Sequence, residues 1–309
     1  MIALNGVILP LSLIADRLIG DSESRYHPVA LIGSFIGWWG RPSVWPARVR
    51  RAAGAGMWLV TILLFALPFF LVSWFLPWYI VLIAGPFLLK FCLAWRSLEE
   101  HAAAVNQALE RDLSEGQRTA SFMVSRDCGN LSDEQVRSAA YESMSENLVD
   151  SIISPLFYFG LFGLPGAAVF RAANTMDAML GYRDERKELG WCAARMDDIL
   201  NFIPARITGG MLLLYFAAKG RFSQAYKGFL LDRKKRPGFN GGIPMSIMAS
   251  GAGVRFEKPG VYVMGTGERS LEEAGPEIVE GIRVVTIAFG ALVSTVLILL
   301  GSGIIYTGI

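Results

Sequence analysis

The chain has 309 residues, 53% hydrophobic and only 18% charged, with a net charge of +2 and a mean hydropathy of +0.41. Soluble domains carry about 25% charged residues, so this composition excludes an ordinary soluble protein and points to an integral membrane one. So small a net charge carries no nucleic-acid signal.

Eight tryptophans suit a membrane protein, because indoles favour the interface. Three cysteines form no C-x-x-C and cannot all pair, so free thiols near a reducing cytoplasm are expected. No basic n-region or small-residue cleavage site precedes the first apolar run, so no cleavable signal peptide is expected.

Residues 2–15 are apolar and give way to Asp16 and Arg17. A span needs about 20 residues, and tilt or local thinning accommodates fewer. A first transmembrane helix is expected near 2–18. Gly20 and Asp21 open a turn, and Pro28 forces His27 toward an extended backbone. By residue type alone His27 is a loop residue. Arg41, Arg48, Arg50 and Arg51 follow as a basic run.

Residues 57–95 carry one charge, Lys90. At 1.5 Å per residue this run is about twice one bilayer crossing. Pro77 and Trp78 mark the turn between spans near 57–76 and 78–95. The next stretch, 96–150, is charged and helical in pattern. LEEHAAAVNQALERDL reads as an amphipathic helix ended by Gly116, and Ser132 as the cap of another with acids in its first turn.

Acids and amides then recur at helical spacing beside apolar runs. Glu142, Glu146 and Asp150 fall at i, i+4 and i+8, which a helix would stack on one face. Asn147 and Asp150 form an N-x-x-D, as do Asn174 and Asp177, and Asp197, Asp198 and Asn201 form D-D-x-x-N. Such oxygen-rich groups suit Mg²⁺ and, through it, phosphate. Each has a plainer reading: a solvated helix face, a helix cap or turn, a polar helix start. Arg206 is harder to dismiss, because an unpaired arginine in an apolar stretch is costly and a carboxylate or phosphate would satisfy it.

The apolar segments 151–170 and 199–217 are interrupted by prolines and glycines and read as broken or re-entrant. Residues 218–283 read as a mostly polar loop region. Its basic run Arg233-Lys234-Lys235-Arg236 suits a membrane surface. Its glycine-rich part, 238–253, matches neither a Walker loop nor a Rossmann fingerprint and reads as a flexible loop. Residues 284–306 form a final span. The arginine-rich regions 20–56, 96–150 and 218–283 belong in the cytoplasm by the positive-inside rule. The expectation is one all-α polytopic membrane domain, 1–309, with four to six transmembrane or re-entrant segments. Four full spans with both termini outside are favoured, and six are the alternative.

Five stretches in this order resemble the adenosylcobinamide-phosphate synthase family of cobalamin biosynthesis. They are GDSESRYHPVALIG (20–33), ESMSENLVDSIISPLFY (142–158), FRAANTMDAMLGY (170–182), GWCAARMDDILNFIPARI (190–207) and NGGIPMSIMASGAGVRFEKPGVY (240–262). Ser22 and Ser151 stand where the family usually has proline and glycine, and its S-P-N-x-G is spread over RPGFNGG. The resemblance implies an ATP-dependent ligase with Mg²⁺. It joins adenosylcobyric acid, a corrinoid, to aminopropanol or its O-phosphate through an acyl phosphate.

On that reading Glu142, Glu146, Asp150, Asp177 and Asp198 are catalytic candidates, and Glu146, Asp150, Asp197 and Asp198 are metal candidates. Asp21, His27, Asn147, Asn174, Arg195, Asn201, Arg206 and Asn240 bind substrate. The protein sits in the cell membrane with its site facing the cytoplasm. Its partners are lipid, the substrates, further copies of itself and other cobamide-assembly enzymes, without nucleic acid. The paired motifs are also similar to those of intramembrane Mg²⁺-dependent prenyltransferases, and a non-catalytic scaffold for cobamide assembly is a third reading. Neither prenyl transfer nor its motifs account for HPVALIG or for 233–262.

Overall fold

The computed structural model describes residues 1–21, 27–182 and 184–303. Ser22, Arg183 and residues 304–306 of the expected last span lie outside the described residues. Thirteen α-helices follow in chain order. They are α1 (Ile2–Ile19), α2 (Pro28–Trp39), α3 (Arg50–Phe75), α4 (Trp78–Lys90), α5 (Trp95–Arg111), α6 (Leu113–Ala120), α7 (Asp133–Leu148), α8 (Ser154–Leu180), α9 (Trp191–Leu200), α10 (Phe202–Ala218), α11 (Phe222–Asp232), α12 (Gly242–Ala252) and α13 (Leu271–Gly301). A π-helical turn, Val149–Ile153, follows α7, and two short antiparallel strands, β1 (Phe256–Lys258) and β2 (Tyr262–Met264), precede α13. The fold is all-α and the chain is a multi-pass membrane protein. Among the described residues, five helical stretches are long and apolar enough to cross a bilayer, or six if α9 and α10, bent by 42°, count as one.

Local signals set many boundaries. Gly20 ends α1 at φ 69°, a conformation that favours glycine. His27 is extended before Pro28 and caps α2. Pro77 starts α4 directly after α3. Ser132 caps α7 in a full capping box with Gln135.

Three expectations need correction. Gly116 does not end a helix: Asp112 accepts from the Ser114 and Glu115 amides and starts α6, with Gly116 inside it against Leu109. The expected broken segment 151–170 runs from the π-turn into α8 and is indeed broken, at Gly163 (φ 67°), while the described residues hold five or six candidate spans, above the favoured four and within the expected four to six. The expected loop region 218–283 is largely helical. Its glycine-rich part forms α12, every residue of which is buried. Small residues allow this: a Cβ on Gly228 would lie 1.8 Å from Ser250 Oγ, and one on Gly251 would lie 2.4 Å from the Phe216 ring.

By its internal contacts the chain comprises two compact units. The first comprises Met1–Ala94, Ser154–Asn201 and Phe289–Ile309, and the second Trp95–Ile153 and Phe202–Ala288. The first is built on a cluster of Ile32, Ile36, Trp39, Ile62, Met176 and Leu180. Here α3 lies so near the turn before α9 that a Cβ on Gly54 would sit 2.0 Å from the Leu189 carbonyl oxygen. The second has a core of Val105, Leu109, Cys128, Leu131 and Val136. Cys92 and Cys128 are buried, and all three cysteines are free.

Candidate functional site

The candidate residues fall into both units. In the first, the N-x-x-D of α8 and the D-D-x-x-N of α9 meet through their side chains. Asp197, nearly buried, accepts from Asn174 Nδ2 at 3.2 Å on one oxygen and from Asn201 Nδ2 at 2.9 Å on the other. Asn201, fully buried, accepts in turn from Ser154 Oγ at 2.6 Å, which fixes the orientation of its amide. Asp177 is half-buried one turn before Gly181, where a Cβ would lie 2.1 Å from its Oδ1. Asp198 is 3.9 Å from Arg195 on the exposed side of α9.

The first loop adds a second polar group in the same unit. Lys90, the lone charge of the apolar hairpin, is buried and donates to Asp21 at 2.7 Å. His27 Nε2 lies 3.8 Å from the same Asp21 oxygen, and its ring meets Phe91 edge-on at 5.2 Å. Its Nδ1 accepts from the Val29 amide at 3.4 Å. Burial lowers the His27 pKa; Asp21 raises it, while Lys90 and Arg171 push it further down. The folded state therefore favours the neutral ring. Below the ordinary value of 6.5 the unfolded chain binds the extra proton first. The stabilising contribution is present above that value and is lost as pH falls from it toward the lowered folded value. Solubilised protein is thus expected to lose thermal stability on acidification below 6.5, and His27→Gln is expected to remove that component. Melting curves of both proteins across the range check this.

In the second unit, Glu142 and Glu146 lie one turn apart on α7, and Asp150 lies in the π-turn that follows. The i→i+5 bonding of the π-turn shifts the register just where Asp150 sits. Glu142 is 2% exposed. It takes a bidentate contact from Arg126 (2.6 and 3.3 Å), the Ser138 hydroxyl at 2.7 Å and the Tyr262 hydroxyl at 2.5 Å. Burial first, and then Glu142, push the Tyr262 pKa up, so this phenol stays protonated as a donor. Glu142 is a hub that holds α7, β2 and the loop before α7 in register. Glu146 pairs with Arg236. Asn147 donates to Ser143 and accepts from Ser151. Arg206 donates to the Phe202 carbonyl at 2.7 Å and to Asn240 Oδ1 at 2.9 Å.

Sequence reasoning missed Arg126, Tyr262 and Arg236 as partners of the acids. It noted Lys90 only as a charge in an apolar run, which was the available signal. Among the described residues no three Asp, Glu, His or Cys side chains gather as a cation site.

The family model described as CobD/Cbib protein matches residues 9–287. A "Probable cobalamin biosynthesis protein CobD" of Methanothermobacter thermautotrophicus is 40% identical, covering 84% of this chain and 86% of its own. Proteins of the same name from Pyrococcus abyssi (43%, covering 83% and 84%) and Thermococcus kodakarensis (37%, covering 95% of each) are similarly related. No solved structure is significantly similar.

Proposed function

The chain belongs to the CobD/CbiB family, and from that premise we propose that it is the amide-forming ligase of cobalamin biosynthesis that makes adenosylcobinamide phosphate. The observation that carries this reading is the family match across 9–287, which runs through all five of the resembling stretches. It favours the corrinoid reading over the prenyltransferase one.

A corrinoid propionate is a poor acyl donor. It attacks the γ-phosphorus of ATP; a carboxyl O–P bond forms while the bond to ADP breaks. The amine of aminopropanol phosphate then attacks the acyl carbon. The C–N bond forms, inorganic phosphate leaves, and one amine proton passes to a carboxylate base. Mg²⁺, bound with the nucleotide, would spread the phosphoryl charge.

The roles assigned to this chain's residues follow from their settings. Asp177 and Asp198 in the first unit, and Glu146 and Asp150 in the second, are only partly buried and are the candidates for amine deprotonation or contact with the metal. Asp197 accepts from the Asn174 and Asn201 amides, which hold it in place as an oriented carboxylate. Glu142, saturated by Arg126, Ser138 and Tyr262, acts by positioning α7 rather than by moving a proton. Arg195 and Arg206 are assigned to phosphate, Asn147 and Asn240 to polar substrate groups, and Asp21 and His27 to the corrinoid end. The proposed site faces the cytoplasm, where ATP is supplied. Further copies of the chain and other cobamide-assembly enzymes are its proposed partners.

The test uses protein in nanodiscs with adenosylcobyric acid, aminopropanol phosphate, ATP and Mg²⁺, followed by mass spectrometry. ATP-dependent amide formation is expected, with Asp150→Asn and Asp198→Asn each lowering it at least about a hundredfold, at the low end of acid–base catalysis. Wild-type activity in both variants would remove the acidic residues from the mechanism.

A further inference from the structure

The second unit pairs its cations closely with acids: Arg126 with Glu142, Arg221 with Glu277, Arg283 with Glu99. Two guanidiniums without an ion pair among the described residues stack on aromatic rings instead. Arg206, on the second turn of α10, uses a single terminal nitrogen for both of its bonds, and lies 3.5 Å from the Phe202 ring centroid. Arg233, at the end of α11, lies over the Phe229 ring at 4.5 Å, and its Nε is buried with no hydrogen-bond partner among the described residues. Neither forms an ion pair with a carboxylate among the described residues. Arg206 bonds Asn240, and Gly242, two residues on, packs against the Arg233 carbonyl, so the same short loop brings the two like charges together.

The backbone holds this arrangement in place. A Cβ on Gly242, the first residue of α12, would lie 2.1 Å from the Arg233 carbonyl oxygen, so the loop between α11 and α12 closes tightly. Two like charges, each stacked on an aromatic ring and each with unused N–H groups, are costly unless an anion sits between them. A planar fork with spare donors matches the oxygens of a phosphate.

We infer that Arg206 and Arg233 form a two-arginine site for a phosphate ester, with Arg233 as a specificity-determining residue. Two sources share this chemistry. One is the phosphate of the amine substrate, which rests on the proposed function. The other is an anionic lipid headgroup, since the outer face of α11 exposes Phe222, Tyr226 and Leu230.

The test titrates aminopropanol phosphate, free aminopropanol and inorganic phosphate by calorimetry into wild type, Arg233→Gln, Arg233→Lys and Arg206→Gln. Each protein is held in nanodiscs of phosphatidylcholine alone or with phosphatidylglycerol. If the substrate is the source, Arg233→Gln weakens aminopropanol phosphate at least about tenfold, spares free aminopropanol, and is partly rescued by Arg233→Lys. Inorganic phosphate then competes. If lipid is the source, phosphatidylglycerol raises the wild-type melting temperature, and both glutamine variants lose that rise with soluble-ligand affinity unchanged. Either result supports the site. Glutamine variants equal to wild type in every arm overturn it. Binding is read without turnover: phosphate binding through Arg233 without amide formation keeps the site and loses the function. Amide formation with wild-type affinities in Arg233→Gln does the reverse.

Discussion

Glu142→Ala is expected to destabilise the protein by about 3–5 kcal/mol, the cost of leaving one member of a buried ion pair without its partner. Glu142 is 2% exposed, and Arg126 reaches it with both terminal nitrogens. Removing the carboxylate strands the guanidinium, the Ser138 hydroxyl and the Tyr262 phenol together. Each of these comes from a different part of the second unit, so the loss is felt in the packing of α7, β2 and the loop before α7 alike. Glu142→Gln keeps the shape and two acceptor positions and is expected to cost less. Replacing both partners, as in Glu142→Leu with Arg126→Met, is expected to recover much of the loss, because no charge is then left buried. Denaturation of the three variants in one detergent gives the comparison. A Glu142→Ala protein as stable as wild type would remove Glu142 as the hub of this unit.

Asp197→Asn is expected to lower kcat/KM at least about a hundredfold, a typical loss when a preorganised electrostatic group is removed, while costing only about 1–3 kcal/mol in stability. Asn201 accepts from Ser154, so its NH₂ must point at Asp197 and cannot turn away. The new amide therefore keeps its oxygen toward Asn201 and turns its nitrogen toward Asn174. Asn174 is half-buried and bonded to Asp197 at 3.2 Å, and it can flip to offer its own oxygen. The geometry survives and the negative charge does not. Amide-formation kinetics together with a melting curve separate the two effects. Unchanged kcat/KM with a normal melt would show that the charge of Asp197 plays no part in the reaction.

The five resembling stretches were legible as motifs because they are contiguous, yet the contacts among them are not. Glu142 and Tyr262 are 120 residues apart, and Asn174 and Asp197 are 23 apart. Spacing on one helix says which acids share a face. It says nothing of which arginine or phenol will come to meet them. So Glu142 read as a catalytic candidate or part of a solvated helix face, and in the structure it is buried and accepts from Arg126, Ser138 and Tyr262. Likewise 238–253 read as a loop because glycine and serine are weak helix formers, and it became α12 because those same small residues let α10 and α11 pack onto it.

The sequence by itself determined what depends on neighbours along the chain. Its composition pointed to the membrane class, and the length of its apolar runs and the helical spacing between them to the all-α fold. Gly20, His27-Pro28, Pro77 and the Ser132–Gln135 capping box set helix ends through backbone preference and hydrogen bonds a few residues long. Only the tertiary structure decided which carboxylates are buried and paired, that α12 is a core helix, and that Asn174 and Asn201 converge on Asp197. Burial and long-range pairing depend on which distant surfaces exclude water together, and no local pattern encodes that.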